Sequence, residues 1–445
     1  MKICIIGMGV LGITYASILS DSDVDVIGVD QDEELIEMLN DGELPVYEPG
    51  LRPLMAASLD SKKLTFTSNF RQAIKESEII FITCEVPNDV EEMPDLRFVK
   101  PIAQSIGNHL ENYATIVVKS TVPPGSCRLI RTTIQKALDE RQVDISFDIV
   151  SNPDFSRKGV MIKDCLVPEM VVIGAESDQA VENMKSLYDS LHVQEENYVI
   201  TNFQSAELIK YGVNAFLSIK LSFINEIALL CENANANILD VSKGIGKDFR
   251  IGHEYLEAGP GFGGSDLPKD AKALVEIAKA YGEELKVLKG AIAANQKQKD
   301  KMVEKIRRTM GPLEGKAIGI LGLSYKPETT DMREAPSICI IKGLIAAGAV
   351  IRIYCPEGIQ EAKWRLYKEK DQITYCKDVY EAADGADAVA VITNWREFKG
   401  MDHQKLKERM RDDYFFDLRN LFGDQPPQGF KYSGLGVSVI ETTSC

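Results

Sequence analysis

Side chains able to do chemistry cluster at Ser265, Asp266, Lys269 and Asp270, directly behind Gly259-Pro260-Gly261-Phe262-Gly263-Gly264. Glycine has no Cβ, so that run lets backbone approach a ligand closely. Two carboxylates and an ammonium behind it supply acid, base and charge. A helical pattern resumes from about Ala271, so the expected setting is a loop that delivers polar groups near a helix start. The competing reading is a Gly-rich connection with a Ser/Asp cap, and this stretch alone does not separate the two. A second pair lies upstream. Lys210 and Asn214 sit at i,i+4 on a helical pattern running from Ser205 to about Ala236, and so share one face. Asn225, further along, reads equally as a site residue or a satisfied core amide.

A third constellation opens the chain. The apolar run Lys2-Ile3-Cys4-Ile5-Ile6 leads into Gly7-Met8-Gly9-Val10-Leu11-Gly12 and then a helical pattern. A second apolar run ends on Asp30. G-x-G-x-x-G between strand and helix, with an acid closing the next strand, is a dinucleotide fingerprint. Gly7 makes the tight turn, Gly9 admits a pyrophosphate, and Gly12 lets the helix pack on the strand. The helix start at Val10 and Leu11 supplies free N–H groups. Asp30 accepts from a ribose diol and repels a 2′-phosphate, so NAD is expected over NADP.

These groups need a scaffold. Further strands are expected at 78–83, 115–119, 147–150 and 170–174, with helices between most of them, which implies a parallel, doubly wound sheet. Ligands in such sheets lie beyond the strand C-terminal ends. Ser120-Thr121-Val122-Pro123-Pro124-Gly125 and Asn152-Pro153-Asp154-Phe155 occupy two of those ends. Helical patterns follow over 274–294 and on to about 310, with Asn295 to Lys299 as a polar stretch between them. A second α/β unit begins near 312, with strands at 316–323, 350–354, 388–392 and 414–417. Its first loop carries Lys326 and Arg333, either of which could hold phosphate. The expected fold class is α/β: two Rossmann-like doubly wound parallel-sheet domains joined by a long central helix. The expected division is 1–204 for NAD, 205–311 for the helical, dimer-forming centre with the loop, and 312–445 for a nucleotide sugar.

Composition narrows the field. The 445 residues are 44% hydrophobic and 27% charged, with a net charge of −16. That argues against nucleic acid or an anionic membrane as partner. Nine scattered cysteines without a CxxC pair suggest reduced thiols in the cytoplasm. Four dispersed histidines suggest no metal site. No basic leader and no run of about 18 apolar residues is read, so neither a signal peptide nor a membrane span is expected.

The motifs together resemble the UDP-glucose/GDP-mannose dehydrogenase family over essentially the whole chain. They are the Gly7/Gly9/Gly12 fingerprint with Asp30, Glu48-Pro49-Gly50-Leu51, Lys119 to Gly125, Asn152 to Phe155, Ala206 to Tyr211 with Asn214, Phe223 to Glu226, and Asp248 to Gly252. Gly261 to Ser265, Pro268-Lys269-Asp270, Lys326-Pro327 with Asp331/Arg333/Glu334, and Asn394-Trp395 complete the set. The resemblance implies a homodimer that oxidises C6 of a nucleotide sugar, most readily a UDP-hexose, from alcohol to acid, with two NAD reduced. In the family a cysteine captures the intermediate aldehyde as a thiohemiacetal, which a second hydride transfer turns into a thioester. Carried over residue by residue, Lys210 and Asn214 stabilise oxygen charge at C6, and Asp270 positions or activates water. Thr121 holds water or the reacting hydroxyl beside the cofactor, and Asp154 stands where the family has Glu. Phe155, Tyr255, Phe262 and Gly263 line the substrate, Lys326 contacts its phosphates, Arg333 contacts phosphate or cofactor, and Arg250 reaches a substrate across the dimer.

This sequence departs from the family at the nucleophile: Asp266 stands where the cysteine belongs. A carboxylate is a far weaker nucleophile towards an aldehyde than a thiolate. Cys84-Glu85-Val86-Pro87, Met170, Cys355 and Gly436-Val437 depart at other ligand positions. Full oxidation to the acid is therefore expected to be slow. Oxidation that stops at the aldehyde, epimerisation through a transient oxidation, and binding of NAD or nucleotide sugar without turnover stand as alternatives.

Overall fold

The structure is a computed structural model that describes residues 1–22, 24–437 and 440–441. It divides into two compact units, Met1–Val213 and Asn214–Cys445.

In the first unit the strands are β1 (Lys2–Ile6), β2 (Asp25–Val29), β3 (Leu64–Thr67), β4 (Ile79–Ile82), β5 (Ala114–Val118), β6 (Phe147–Ser151), β7 (Val171–Ala175) and β8 (Tyr198–Thr201). They pair in the order β3-β2-β1-β4-β5-β6-β7-β8. Ile3 to Ile6 are buried on both faces of β1, as a strand flanked by helix layers requires. The chain order reverses between β1 and β4, so the first fingerprint turn opens at the switch point. One expectation is corrected here: β7 runs antiparallel to β6, with Val150 opposite Ala175. The connection holds a single six-residue helix, Met161–Leu166. At about 1.5 Å per residue that helix covers roughly 9 Å, too little to carry the chain back along a strand of about 16 Å.

The second unit holds β9 (Ala317–Leu321), β10 (Val350–Tyr354), β11 (Ile373–Tyr375), β12 (Ala388–Val391), β13 (Tyr414–Asp417), β14 (Lys431–Gly434) and β15 (Ile440–Glu441). Their order is β11-β10-β9-β12-β13-β14-β15, parallel except for the β14–β15 pair. Its switch point lies between β9 and β12. The sheet core includes Ile318, Ile320, Val389, Val391 and Phe415, all fully buried.

Three helices carry the polar groups of interest. The central helix, Phe203–Ala234, is 32 residues long. It contains an 18-residue window apolar enough to cross a membrane by length and composition, which the sequence reading did not identify. Its apolar residues Ile224, Ala228 and Cys231 pack into the second unit's core. The loop helix, Leu267–Ala280, begins four residues earlier than expected, with Pro268 in its first turn, where a missing N–H costs nothing. It ends at Tyr281, and Gly282 follows in the left-handed region at φ +81°. The clamp helix, Lys286–Met310, then runs unbroken for 25 residues. The helical patterns expected over 274–294 and on to about 310 are thus parted near Gly282, and the polar, helix-compatible stretch Asn295 to Lys299 lies within a helix.

Candidate active site

In the first unit the fingerprint turn has the shape of a phosphate cradle. Gly7 sits at φ +106°, and a Cβ there would meet the Cys84 backbone nitrogen at 2.8 Å. At Gly12 a Cβ would collide with the Gly7 carbonyl. At Gly9 a Cβ would meet no atom within 4 Å, so that glycine borders open space. The helix Val10–Asp21 has no side-chain N-cap and no acid in its first turn, leaving the N–H groups of its start for an anion. Asp30 Oδ2 accepts from Met8 N at 2.7 Å, which fixes the carboxylate beside the turn. These residues fit a dinucleotide. Gly9→Ala is expected to leave the melting temperature unchanged and to weaken NAD binding by roughly 10–100-fold, the loss of one charge-assisted hydrogen bond, as read by titration calorimetry.

Beyond β5, the half-buried Thr121 lies on the loop that leads to the helix Ser126–Glu140. Glu207, on the central helix, accepts from Gly125 N at 2.6 Å and Cys127 N at 2.8 Å. Burial raises its carboxyl above the ordinary range, partly countered by these N–H donors. Glu207 thus ties the Thr121 loop to the helical turn that carries Lys210. The Lys210 ammonium lies 5.2 Å from the Phe155 ring centroid. Ser156 Oγ donates to Asp154 Oδ2 at 2.6 Å. Beneath them Lys119 is fully buried, donating to Asn152 Oδ1 at 3.1 Å and Tyr188 Oη at 3.3 Å. Burial alone would depress that ammonium. The Tyr188 phenol and the Asp154 carboxylate outweigh it, and the net shift is upward.

In the second unit the structure brings Asn214, Lys269 and Asp270 together. Asp270 is 1% exposed; its Oδ2 accepts from Asn214 Nδ2 and its Oδ1 from Lys269 Nζ, each at 2.6 Å. Asp266 occupies the N-cap position of the loop helix without capping it, and is exposed. The competing Ser/Asp-cap reading therefore fails at Asp266.

The glycine run is gripped along its length. Asn225 Oδ1 accepts from Gly259 N, and Gln298 Nε2 donates to Gly259 O, both at 2.8 Å. Asn295 takes the Phe262 N–H at 2.8 Å and returns a bond to the Phe262 carbonyl at 3.1 Å. Gly264 N donates to Arg333 O at 2.7 Å. Lys299, 2% exposed, donates to Glu334 O at 3.1 Å. Gly263 packs on the backbone of Glu334 and Ala335, and Gly264 packs on the Tyr325 ring. Asn295, Gln298 and Lys299 thus form one buried polar face of the clamp helix, a role the sequence reading missed. Their spacing of i, i+3, i+4 was the available signal.

Lys326 lies 6.0 Å from the Tyr325 ring centroid. Arg333 forks onto Asp331, with its Nη2 2.8 Å from Oδ2. Arg250 is 75% exposed and pairs with Asp248 at 2.6 Å. Tyr255 holds a left-handed backbone at φ +63°. Phe262 is buried beside the glycines. Cys355 Sγ accepts from Leu323 N at 3.4 Å and so steadies the loop after β9. Arg419 is a second missed residue. Half-buried, it donates from its guanidinium to the Ile392 and Tyr325 carbonyls at 2.9 and 3.1 Å. Among the described residues no carboxylate pairs with it. Burial lowers it to about 10. A Cβ on Gly259 would lie 2.8 Å from that guanidinium. A half-buried cation with no carboxylate partner among the described residues, at the strand ends of a doubly wound sheet, suits an anionic ligand.

A dinucleotide cradle in one unit, and in the other a backbone-lined loop with carboxylate, amide and a half-buried cation, point to an NAD-dependent oxidoreductase of an anionic substrate. Comparison with known proteins agrees. Residues 1–192 match the NAD binding domain of the UDP-glucose/GDP-mannose dehydrogenase family, 204–297 its central domain and 319–424 its UDP binding domain. UDP-glucose 6-dehydrogenase TuaD of Bacillus subtilis is 40% identical over 444 residues, spanning 99% of this chain and 94% of that protein. UDP-glucose 6-dehydrogenase of Rhizobium meliloti is 38% identical, spanning 98% and 99%. The solved UDP-glucose dehydrogenase of Pyrobaculum islandicum superposes with a TM-score of 0.89 at 29% identity, covering 98% of each chain. The chain belongs to the UDP-glucose/GDP-mannose dehydrogenase family, and it is an NAD-dependent nucleotide-sugar dehydrogenase.

Proposed function

We propose that this chain oxidises C6 of a UDP-hexose from alcohol to acid, with UDP-glucose the first candidate substrate. The relatives named UDP-glucose 6-dehydrogenases support this, and so does the match to a UDP binding domain. The observation that carries the reading is the gripped glycine run. Its backbone is held by Asn225, Asn295 and Gln298, and it ends on the Asn214–Asp270–Lys269 set. NAD, when bound, supplies the hydride acceptor. Gly7, Gly9, Gly12 and Asp30 hold it, and Val10 and Leu11 open the helix that faces its pyrophosphate. Lys210 and Asn214 stabilise charge on the C6 oxygen, with Thr121 and Asp154 ordering the hydroxyl or water. Arg419 and Lys326 take the sugar nucleotide's phosphates, and Phe155, Tyr255, Phe262 and Gly263 line the sugar.

We also infer a three-part working division at about 204 and 311 and a cytoplasmic homodimer. Phe216, Phe223 and Leu230 recur every seven residues on the central helix and are 61%, 46% and 61% exposed. A heptad-spaced apolar stripe of this kind buries best against a copy of itself. Arg250, exposed nearby in sequence, is the residue we assign to the partner's substrate. The double change Phe216→Glu with Phe223→Glu is expected to turn the dimer into a monomer by light scattering. An unchanged dimer removes the stripe from the interface.

The test of activity is a panel of UDP- and GDP-sugars with NAD or NADP, following NADH and product mass. A UDP-uronate with NAD supports the reading, and no reduction with any sugar rejects it. Arrest at the aldehyde, the alternative outcome that the absence of a cysteine at position 266 leaves open, would show in the same masses.

A further inference from the structure

In the first unit a dinucleotide has two sides of the switch point to occupy. Asp30 follows β2, so the adenosine half belongs over the ends of β1 and β2. The other half then belongs over the ends of β4 and β5, and the loops that leave those strands form its wall. These loops are pinned in series. A Cβ on Gly7 would lie 2.8 Å from Cys84 N, so the fingerprint turn abuts the end of β4. Ser120 Oγ donates to the Cys84 carbonyl at 2.6 Å, which fixes the end of β5 to the end of β4. Thr121, Val122, Pro123 and Pro124 then arch across to Gly125, with Val122 buried in the core. The far foot of this arch cannot cap itself. Gly125 stands at the N-cap of the helix Ser126–Glu140 with φ +98°, a left-handed conformation that favours glycine, and glycine has no side chain to offer the helix N–H groups. Glu207, buried on the central helix, supplies the missing acceptors: one oxygen takes Gly125 N at 2.6 Å, the other Cys127 N at 2.8 Å.

We propose that Glu207 is a positioning residue for the nicotinamide half of NAD: it holds the far foot of the Thr121 arch and so sets the wall against which that half binds. This rests on the assignment of Gly7, Gly9, Gly12 and Asp30 to NAD above. All the residues involved lie within the first unit. Glu207 acts through the arch and not by contact with the cofactor. A carboxylate is required because two N–H groups need two acceptors. Glutamine has the same shape with one acceptor, so one of the two N–H groups would face an amide NH₂ instead. The foot then loosens, and ordering the arch becomes a cost of binding. A cap with a structural role only would matter equally to every ligand of this unit. A positioning residue matters only to a ligand long enough to reach the arch.

The test is titration calorimetry of the full chain with NAD and, separately, with ADP, which carries the adenosine half and no nicotinamide. UDP is held in excess in both titrations to fill the UDP binding domain. Glu207→Gln is expected to weaken NAD about 10-fold and to leave ADP within about 2-fold of the wild type, and the retained ADP affinity certifies that the unit is folded. Glu207→Ala, which offers neither acceptor, is expected to weaken NAD at least as much. Gly9→Ala is the mirror control and weakens both ligands alike. By hydrogen exchange, a peptide covering Gly125 to Cys127 is expected to lose protection in Glu207→Gln, while one covering β1 keeps it. The proposal is overturned if both Glu207 variants bind NAD as the wild type does. It is likewise overturned if they lose NAD and ADP by the same factor, which makes Glu207 a structural cap only and leaves the NAD cradle standing. If Gly9→Ala moves neither ligand, the cradle assignment falls and takes the proposal with it.

Discussion

Asp270→Asn is expected to lower kcat by about 10²–10⁴-fold while the KM for the sugar nucleotide moves far less. The carboxylate accepts at both oxygens, from Asn214 Nδ2 and from Lys269 Nζ. An amide has one acceptor and one donor, so whichever way it turns, one of those two donors faces another donor. In either orientation the Lys269 ammonium loses the Asp270 charge, and where the amide nitrogen faces Asn214 that side chain also loses the orientation that lets it meet charge at C6. Breaking a buried pair of this kind costs about 3 kcal/mol. A domain of ordinary stability, about 5–15 kcal/mol, survives that loss and remains folded. Steady-state kinetics beside a urea melt separate the two effects. A kcat within a few-fold of wild type would show that the Asn214–Asp270–Lys269 set is a packing device only.

The second large effect is expected at Gly263→Ala. Its φ lies outside the left-handed region, so the argument is steric. The added Cβ would stand 2.5 Å from the Glu334 carbonyl oxygen and 3.0 Å from Ala335 Cα. Both neighbours are backbone, and the Glu334 carbonyl is itself held by Lys299. No side chain can swing away, so the glycine run must shift. Overpacking costs about 1–3 kcal/mol. The greater effect is on chemistry, because a displacement of about 1 Å at a positioned reacting group costs on the order of 10²-fold. Gly290→Ala is the control. It sits exposed on the clamp helix with no atom within 4 Å of the new Cβ. It is expected to stabilise by about 0.5–1 kcal/mol with kcat unchanged. Equal kinetics for the two variants would mean that the grip on Gly263 has no catalytic role.

What could be read from the sequence follows from how local each signal is. Gly7, Gly9, Gly12 and Asp30 act through one turn and the next strand, so their spacing carries the geometry, and the structure gives each glycine a distinct steric setting. Lys210 and Asn214 were legible for the same reason, lying one helical turn apart. Asn225, left open between site and core amide, holds Gly259 N. Burial was harder to read. Asn295 to Lys299 has the composition of a solvated face, and only the tertiary fold turns Asn295, Gln298 and Lys299 inward against the glycine run. Arg419 carries no local signal of an ion without a counter-ion. Its isolation depends on which chain segments surround it. The antiparallel turn of β7 escaped because a strand's own residues are silent about the direction of its neighbour. Gly282 is a legible stop, a glycine closing a helical run, which the expected helical pattern over 274–294 ran across.

Asp266 links both kinds of reading. Its identity is plain in the sequence, while its exposure, beside a buried and fully engaged Asp270, comes only from the fold. The central claim is that this chain carries UDP-glucose to the acid with NAD on a loop that holds no thiol. The most direct test is one experiment on the unmodified protein: limiting UDP-glucose, excess NAD, NADH counted to completion, and the intact protein mass taken after acid quench during turnover. The account predicts two NADH per sugar, a UDP-uronate product and a protein of unchanged mass. One NADH with an aldehyde product, or a protein mass raised by a bound sugar nucleotide, would contradict it.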